Sequence, residues 1–260
     1  MRRKLGLFLI IPLMSGLAAS IGFAAQSSQG EGPAYAWHDS SLTAMGGKKG
    51  WEKTRYLRFR WNVYRAGKLV SDRRHYWDRY DGDYRLETKT RDGDSLLALF
   101  NVNNGEGQAW VDGKPAEGAR NDSLVERAYA MFINDSYWLL MPYKWRDPGV
   151  NLEYLGQETH DDGTWHVVHL SFENVGLTPG DQYWAYISDE PPHLMKKWQY
   201  HLQNRENKGP VIRWENWQRF GDMMIATERN AIGEDFRIEF AEVQASRRVP
   251  RGTFKPPGVR

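Results

Sequence analysis

The chain has 260 residues, with 35 Lys+Arg, 33 Asp+Glu, 7 His and no Cys. That length suits one domain with its own core, and the lack of Cys excludes disulfides, Cys-ligated zinc, iron–sulfur clusters and thiol nucleophiles. Three of the 35 basic residues (Arg2, Arg3 and Lys4) open the chain, leaving 32 against 33 acidic ones; a near-neutral remainder argues against nucleic-acid binding by bulk charge.

The basic start is followed by an apolar run from Leu5, with no charge before Glu31 and small residues at Gly22-Phe23-Ala24-Ala25. Residues 1–25 read as an export signal, and an uncleaved N-terminal anchor is the alternative because the run is nearly long enough to span a bilayer. Residues 26–34 are rich in Gln, Ser and Gly and read as a flexible leader. One domain is expected over 35–245, and a basic, Pro-containing extended tail over 246–260.

Within that domain a short helix is predicted over Ala36–Gly46, stopped by Gly46-Gly47. The period then becomes two: Leu57, Phe59, Trp61 and Val63 alternate with Tyr56, Arg58, Arg60 and Asn62, the pattern of a half-buried strand. Turn dipeptides follow at Gly67-Lys68, Asp81-Gly82, Asp92-Gly93, Asn104-Gly105 and Asp112-Gly113, which predicts an antiparallel meander. From Asp122 to Asn134 the apolar residues recur at helical spacing, with Asp122 or Ser123 as cap. Strands are predicted again over Tyr137–Met141, Val150–Glu158, Trp165–Phe172, Gln182–Ser188, Met195–Leu202, Val211–Phe220, Met223–Arg229 and Phe236–Gln244. The expected fold class is mainly β (α+β). It is a curled antiparallel sheet, or incomplete barrel, of about ten or eleven strands, with a short N-terminal helix and one helix after the fifth strand.

No nucleophile elbow, phosphate loop or dinucleotide fingerprint occurs. His166 and His169 are the closest His pair, and a spacing of three on a strand puts them on opposite faces, unable to share a metal. No acidic residue stands out in an apolar stretch as a raised-pKa acid. The sequence therefore offers no catalytic residue, metal ligand or cofactor site, and the expectation is of a protein that is not an enzyme.

The strongest signal is aromatic: 12 Trp, 13 Tyr and 10 Phe. A sheet with so few helices must curl around its own side chains, the helices or a ligand. Whether the interior is filled by Trp and Tyr or left open for an amphiphile is not decided by the residues alone. The candidate lining is Leu57, Phe59, Trp61, Val63, Phe100, Trp110, Met131, Phe132, Trp138 and Leu140. Arg58, Arg60, Arg73, Arg74 and Arg79 are expected on the solvated outer face.

Several motifs carry a resemblance. These are Ala44-Met45-Gly46-Gly47 before Trp51 and Leu57-Arg58-Phe59; Tyr137-Trp138-Leu139-Leu140-Met141-Pro142-Tyr143-Lys144 before Asp147-Pro148-Gly149-Val150; Phe172 to Asp181 before Tyr183-Trp184; and the closing Val249-Pro250 with Phe254-Lys255-Pro256. From about Leu42 to Pro256 the chain resembles a bacterial family of the LolA/LolB-like, lipoprotein carrier-like periplasmic group. The resemblance implies an incomplete barrel whose concave side is plugged by helices and whose cavity takes acyl chains. LolB-type proteins are lipidated; this chain has no Cys for that. The leading expectation is a non-catalytic periplasmic binding or carrier protein for a lipid, lipoprotein acyl chain or other hydrophobic ligand. The alternative is an envelope structural or protein-interaction module with a side-chain-filled core, and a hydrolase of envelope glycan or lipid is the third reading. No nucleic-acid partner is expected, and no stable transmembrane span after signal cleavage.

Overall fold

The computed structural model describes residues 30–258 apart from Asn174. The expected export segment, residues 26–29 of the leader and residues 259–260 lie outside the described residues.

Helix α1 (Pro33–Ala44) and helix α2 (Gly47–Lys53) precede six strands: β1 (Tyr56–Arg65), β2 (Lys68–Asp78), β3 (Asp83–Lys89), β4 (Ser95–Asn101), β5 (Gly107–Val111) and the two-residue β6 (Lys114–Pro115). Helix α3 (Gly118–Leu140) then leads through a 3₁₀ turn at Met141–Tyr143 to seven more strands. These are β7 (Val150–His160), β8 (Gly163–Phe172), β9 (Gln182–Ser188), β10 (Met195–His201), β11 (Val211–Phe220), β12 (Met223–Ala231) and β13 (Phe236–Ser246). All belong to one antiparallel sheet of order β6-β5-β4-β3-β2-β1-β13-β12-β11-β10-β9-β8-β7. The sheet is curled and unclosed, with β6 and β7 as its two edges.

Each turn dipeptide named above joins consecutive strands, because Asp-Gly and Asn-Gly supply the positive φ of tight hairpins. Among the described residues the strand count is thirteen rather than ten or eleven, and the short β6 puts the long helix after the sixth strand instead of the fifth. The helix expected over Asp122–Asn134 runs from Gly118 to Leu140 and follows the sixth strand; Asp122 and Ser123 lie inside it rather than capping it. The strand expected over Tyr137–Met141 is the last turn of that helix and the start of the 3₁₀ turn. A short apolar run ending at Pro142 satisfies either period, and continuity with Val125, Ala128, Phe132 and Leu139 decided for the helix.

Gly46 shows why the Gly-Gly pair is there. Its φ is 110°, and a Cβ at that position would lie 2.2 Å from the Asp222 carbonyl in the β11–β12 hairpin. The Tyr143 hydroxyl locks the same junction, lying 2.7 Å from the carbonyl oxygens of both Met45 and Met224 with one proton to donate to either. The N-terminal helices, the end of α3 and the β11–β12 hairpin therefore meet at one point.

Candidate functional site

The concave face is the place where the motifs, the helices and the aromatic side chains converge. Leu57, Phe59, Trp61 and Val63 all point inward from β1, none more than 9% exposed. They join Leu139, Leu140, Ile225, Ile238 and Phe240 in one apolar cluster, with Trp138 packed against it. Phe100 and Phe132 belong to a second cluster, with Ala128 and Val125 of α3 packed on β3–β5 and half-buried Met131 at its margin. Trp110 does not join them. It pairs across β4–β5 with Leu97, while inward-facing Ala98 pairs with Ala109, so Trp110 lies on the opposite face. The remaining nine candidates fall into these two clusters, six in the first and three in the second; in the first, Trp61 meets Trp138 at 6.2 Å and Phe240 at 5.4 Å between ring centroids. Phe132 meets Tyr84 at 4.7 Å and Trp77 at 5.2 Å.

Two charged anchors, neither singled out in the sequence, hold α3 to the sheet. The first is Asp135, which has no exposed surface. Arg73 of β2 donates to both its oxygens, at 2.9 and 2.8 Å, and Asn134 donates at 2.8 Å. His75 Nε2 lies 3.1 Å from Asp135 Oδ2, outside hydrogen-bonding angles. Its Nδ1 is 2.7 Å from the Tyr84 hydroxyl, and its ring stacks on Phe59 at 4.5 Å. Burial alone would raise the Asp135 pKa; the Arg73 charge and the approach of His75 outweigh it and hold the carboxyl below the usual range. Arg73 therefore turns inward, opposite Trp61, and departs from the outer-face expectation. Arg79 departs too: it stacks on Trp51, 3.4 Å from the ring centroid, and burial pulls its pKa down to about 10. Arg58, Arg60 and Arg74 do lie on the convex face, paired with Glu242 and Asp72.

The second anchor is Arg229 of β12, fully buried. Its Nε and Nη2 donate to the Trp138 carbonyl at 3.2 and 2.9 Å. Nη1 donates to the Ala226 and Glu228 carbonyls at 3.0 and 2.9 Å, and the guanidinium stacks on Trp214 at 3.4 Å. Burial pushes its pKa well below the ordinary arginine value. A cation here suits the carbonyl-rich C-terminus of α3. Both anchors left a trace in the sequence. Asp135 is in phase with Ala128, Phe132 and Leu139 on the helix, and Arg229 is in phase with Met223 and Ile225 on the strand.

Helix α1 seals the other end of the concave face. Trp37 stacks on His166 at 3.3 Å, and His38 reaches the Pro142 carbonyl at 3.0 Å. His169 stacks on Trp184 on the convex side, so the two close histidines are indeed separated by the sheet. Two open surface hollows lie outside the interior. One, of about 490 Å³, is bordered by Asp39, Thr43 and His193; the other, of about 280 Å³, by Tyr64, Asn230 and Arg237. On the convex side the tail is tied down, since Arg85 donates to the Thr253 and Lys255 carbonyls at 3.4 and 3.2 Å.

Burial lowers the pKa of both His75 and His38. Each stays neutral in the folded chain while the unfolded chain binds a proton below about pH 6.5. Stability is therefore full above that pH and falls as pH drops toward the folded values, by at most about 1.4 kcal/mol per pH unit for each group. Urea unfolding at pH 7.5 and 5.5 should show a lower midpoint at pH 5.5; identical midpoints would mean that neither ring is held neutral.

Among the described residues no helix is long and apolar enough to cross a membrane. No family model matches the chain, and no curated protein matches it. Solved structures do resemble it. A DUF1329 family protein from Desulfovibrio piger is 10% identical with a TM-score of 0.48, covering 86% of this chain and 97% of that one. A domain described as an outer-membrane lipoprotein-sorting protein from Vibrio parahaemolyticus is 9% identical with a TM-score of 0.42, covering 84% and 97%. The Mycobacterium tuberculosis lipoprotein LppX is 9% identical with a TM-score of 0.32, covering 83% and 96%. At these identities and TM-scores the likeness carries no argument about family or role.

Proposed function

We propose that this chain is a non-catalytic, exported binding or carrier protein for a hydrophobic ligand, such as a lipid or a lipoprotein acyl chain, and that the described state is its closed form. The observation that supports this reading is the asymmetric attachment of α3. The helix joins the two edges of an unclosed sheet, and both charged anchors, Asp135 and Arg229 on the Trp138 carbonyl, grip its C-terminal part. Its N-terminal part rests on β3–β5 through Val125, Ala128 and Phe132, with Asn121 bonding the β5 backbone and no side chain capping the first turn. Apolar contacts without charged anchors make that part the first to separate. Lifting it would expose Phe100, Tyr84 and Leu96, an apolar floor on which an alkyl chain takes the place of the helix.

The absence of native Cys makes this testable. Ala128 is fully buried on the face of α3 that packs against the sheet, so Ala128→Cys reports opening by its rate of maleimide labelling. With vesicles of phosphatidylglycerol and phosphatidylethanolamine the rate should rise about tenfold, a shift of about 1.4 kcal/mol in the opening equilibrium. An unchanged rate, with a bare mass in native mass spectrometry, would favour the second reading, an envelope interaction module. That reading draws support from the side-chain-filled interior around Trp61, Trp138 and Phe240.

A further inference from the structure

Resting on the carrier reading, we propose that Arg229 and the indole N–H groups of Trp61, Trp198 and Trp214 form a binding site for the oxyanion head of a single-chain amphiphile, a carboxylate or phosphate on an alkyl tail. The Nε–Nη2 side of a guanidinium is the side that accepts two oxygens of an oxyanion in parallel. In Arg229 both donors converge on one oxygen, the Trp138 carbonyl at the end of α3, at 3.2 and 2.9 Å. A helix C-terminal carbonyl carries partial negative charge, so α3 occupies the fork with its own backbone. No carboxylate lies within ion-pair distance of Arg229 among the described residues.

The indoles around it tell the same story. Trp138 meets Trp198 at 4.6 Å, Trp198 meets Trp214 at 5.6 Å, and Trp61 meets Trp138 at 6.2 Å between ring centroids. The Nε1 atoms of Trp61, Trp198 and Trp214 are buried without an acceptor, although an indole N–H is a donor only. A buried cation without counter-charge and three buried donors without acceptors each cost stability. One oxyanion supplies the missing charge and the missing acceptors together. Leu140, Ile238 and Phe240 border the cluster and provide apolar surface for the first methylenes of the tail.

The test uses the mature chain and three probes with one tail: dodecanoate, dodecyl phosphate and 1-dodecanol, each below its aggregation threshold, followed by titration calorimetry. An oxyanion head should bind about 10–100-fold tighter than the alcohol, and whichever of dodecanoate and dodecyl phosphate leads names the head. Equal affinity for all three overturns the head site and leaves the carrier reading standing; no binding of any probe removes both. Arg229→Lys keeps charge and loses the fork, and is expected to cut the preference about tenfold. Should it fail to fold, Trp214→Phe decides. It keeps the ring over Arg229 and removes one donor, and is expected to weaken dodecanoate severalfold while leaving the alcohol unchanged. An unchanged preference in that variant overturns the assignment.

Discussion

Replacing Asp135 by alanine is expected to lower stability by about 3–5 kcal/mol, the cost of stripping one partner from a buried charge pair. Asp135 is wholly buried on α3, and Arg73, only 22% exposed, is held there by two hydrogen bonds to it. Without the carboxylate, Arg73 is left over the Trp61 side of the sheet with no counter-charge, and His75 loses its electrostatic neighbour. For a chain of this size the loss corresponds to about 10 °C in melting temperature, which the 12 Trp would report by fluorescence. Asp135→Asn keeps the volume and one acceptor oxygen, and should lose less. A change under about 1 kcal/mol for Asp135→Ala would show that α3 is not held at this point. The pH signature is separate: a carboxyl held below its usual range stabilises the fold above about pH 4 and loses that contribution as pH falls through its folded pKa.

The second large effect belongs to Gly46. Gly46→Ala is expected to cost about 2–5 kcal/mol, because a left-handed backbone is strained for alanine and its Cβ cannot share space with a backbone oxygen. The φ of 110° and the 2.2 Å approach to the Asp222 carbonyl supply both penalties. Gly47 is the internal control. It has a φ of 70° with nothing near a built Cβ, so Gly47→Ala should cost only about 1–2 kcal/mol. Equal losses at the two positions in urea unfolding would mean that the contact with the β11–β12 hairpin is not tight. A large loss confined to Gly46 would place the junction of α1, α2 and that hairpin among the structural supports of the closed state.

These predictions act on residues whose importance was unevenly legible in the chain. Strands such as β1 and β4 were readable because alternation and turn chemistry report them directly, as at Leu57–Val63 and at the Asp-Gly pairs. Tyr137–Met141 was misread because five apolar residues before a proline are compatible with either period, and the polar Asn134-Asp135-Ser136 interrupts the helical stripe just before them. Asp135 broke the stripe by lying inside it. A polar residue at a core phase reads as the end of an amphipathic helix unless its partner is known, and Arg73 stands 62 positions away.

What the sequence by itself determined was local: the antiparallel meander, the hairpin turns, the inward face of β1, the glycine pair, and the separation of His166 from His169. These depend on residues a few positions apart. Only the tertiary structure decided that Trp110 faces away from the interior, that Arg73 and Arg79 are not surface residues, and that Arg229 faces the end of α3. It also decided that the helix expected over Asp122–Asn134 runs for 23 residues, through to Leu140. Those outcomes depend on which strand neighbours which and on where α3 crosses the sheet. They are set by contacts between β2, β12 and α3, segments far apart in the chain, and no local period encodes such contacts.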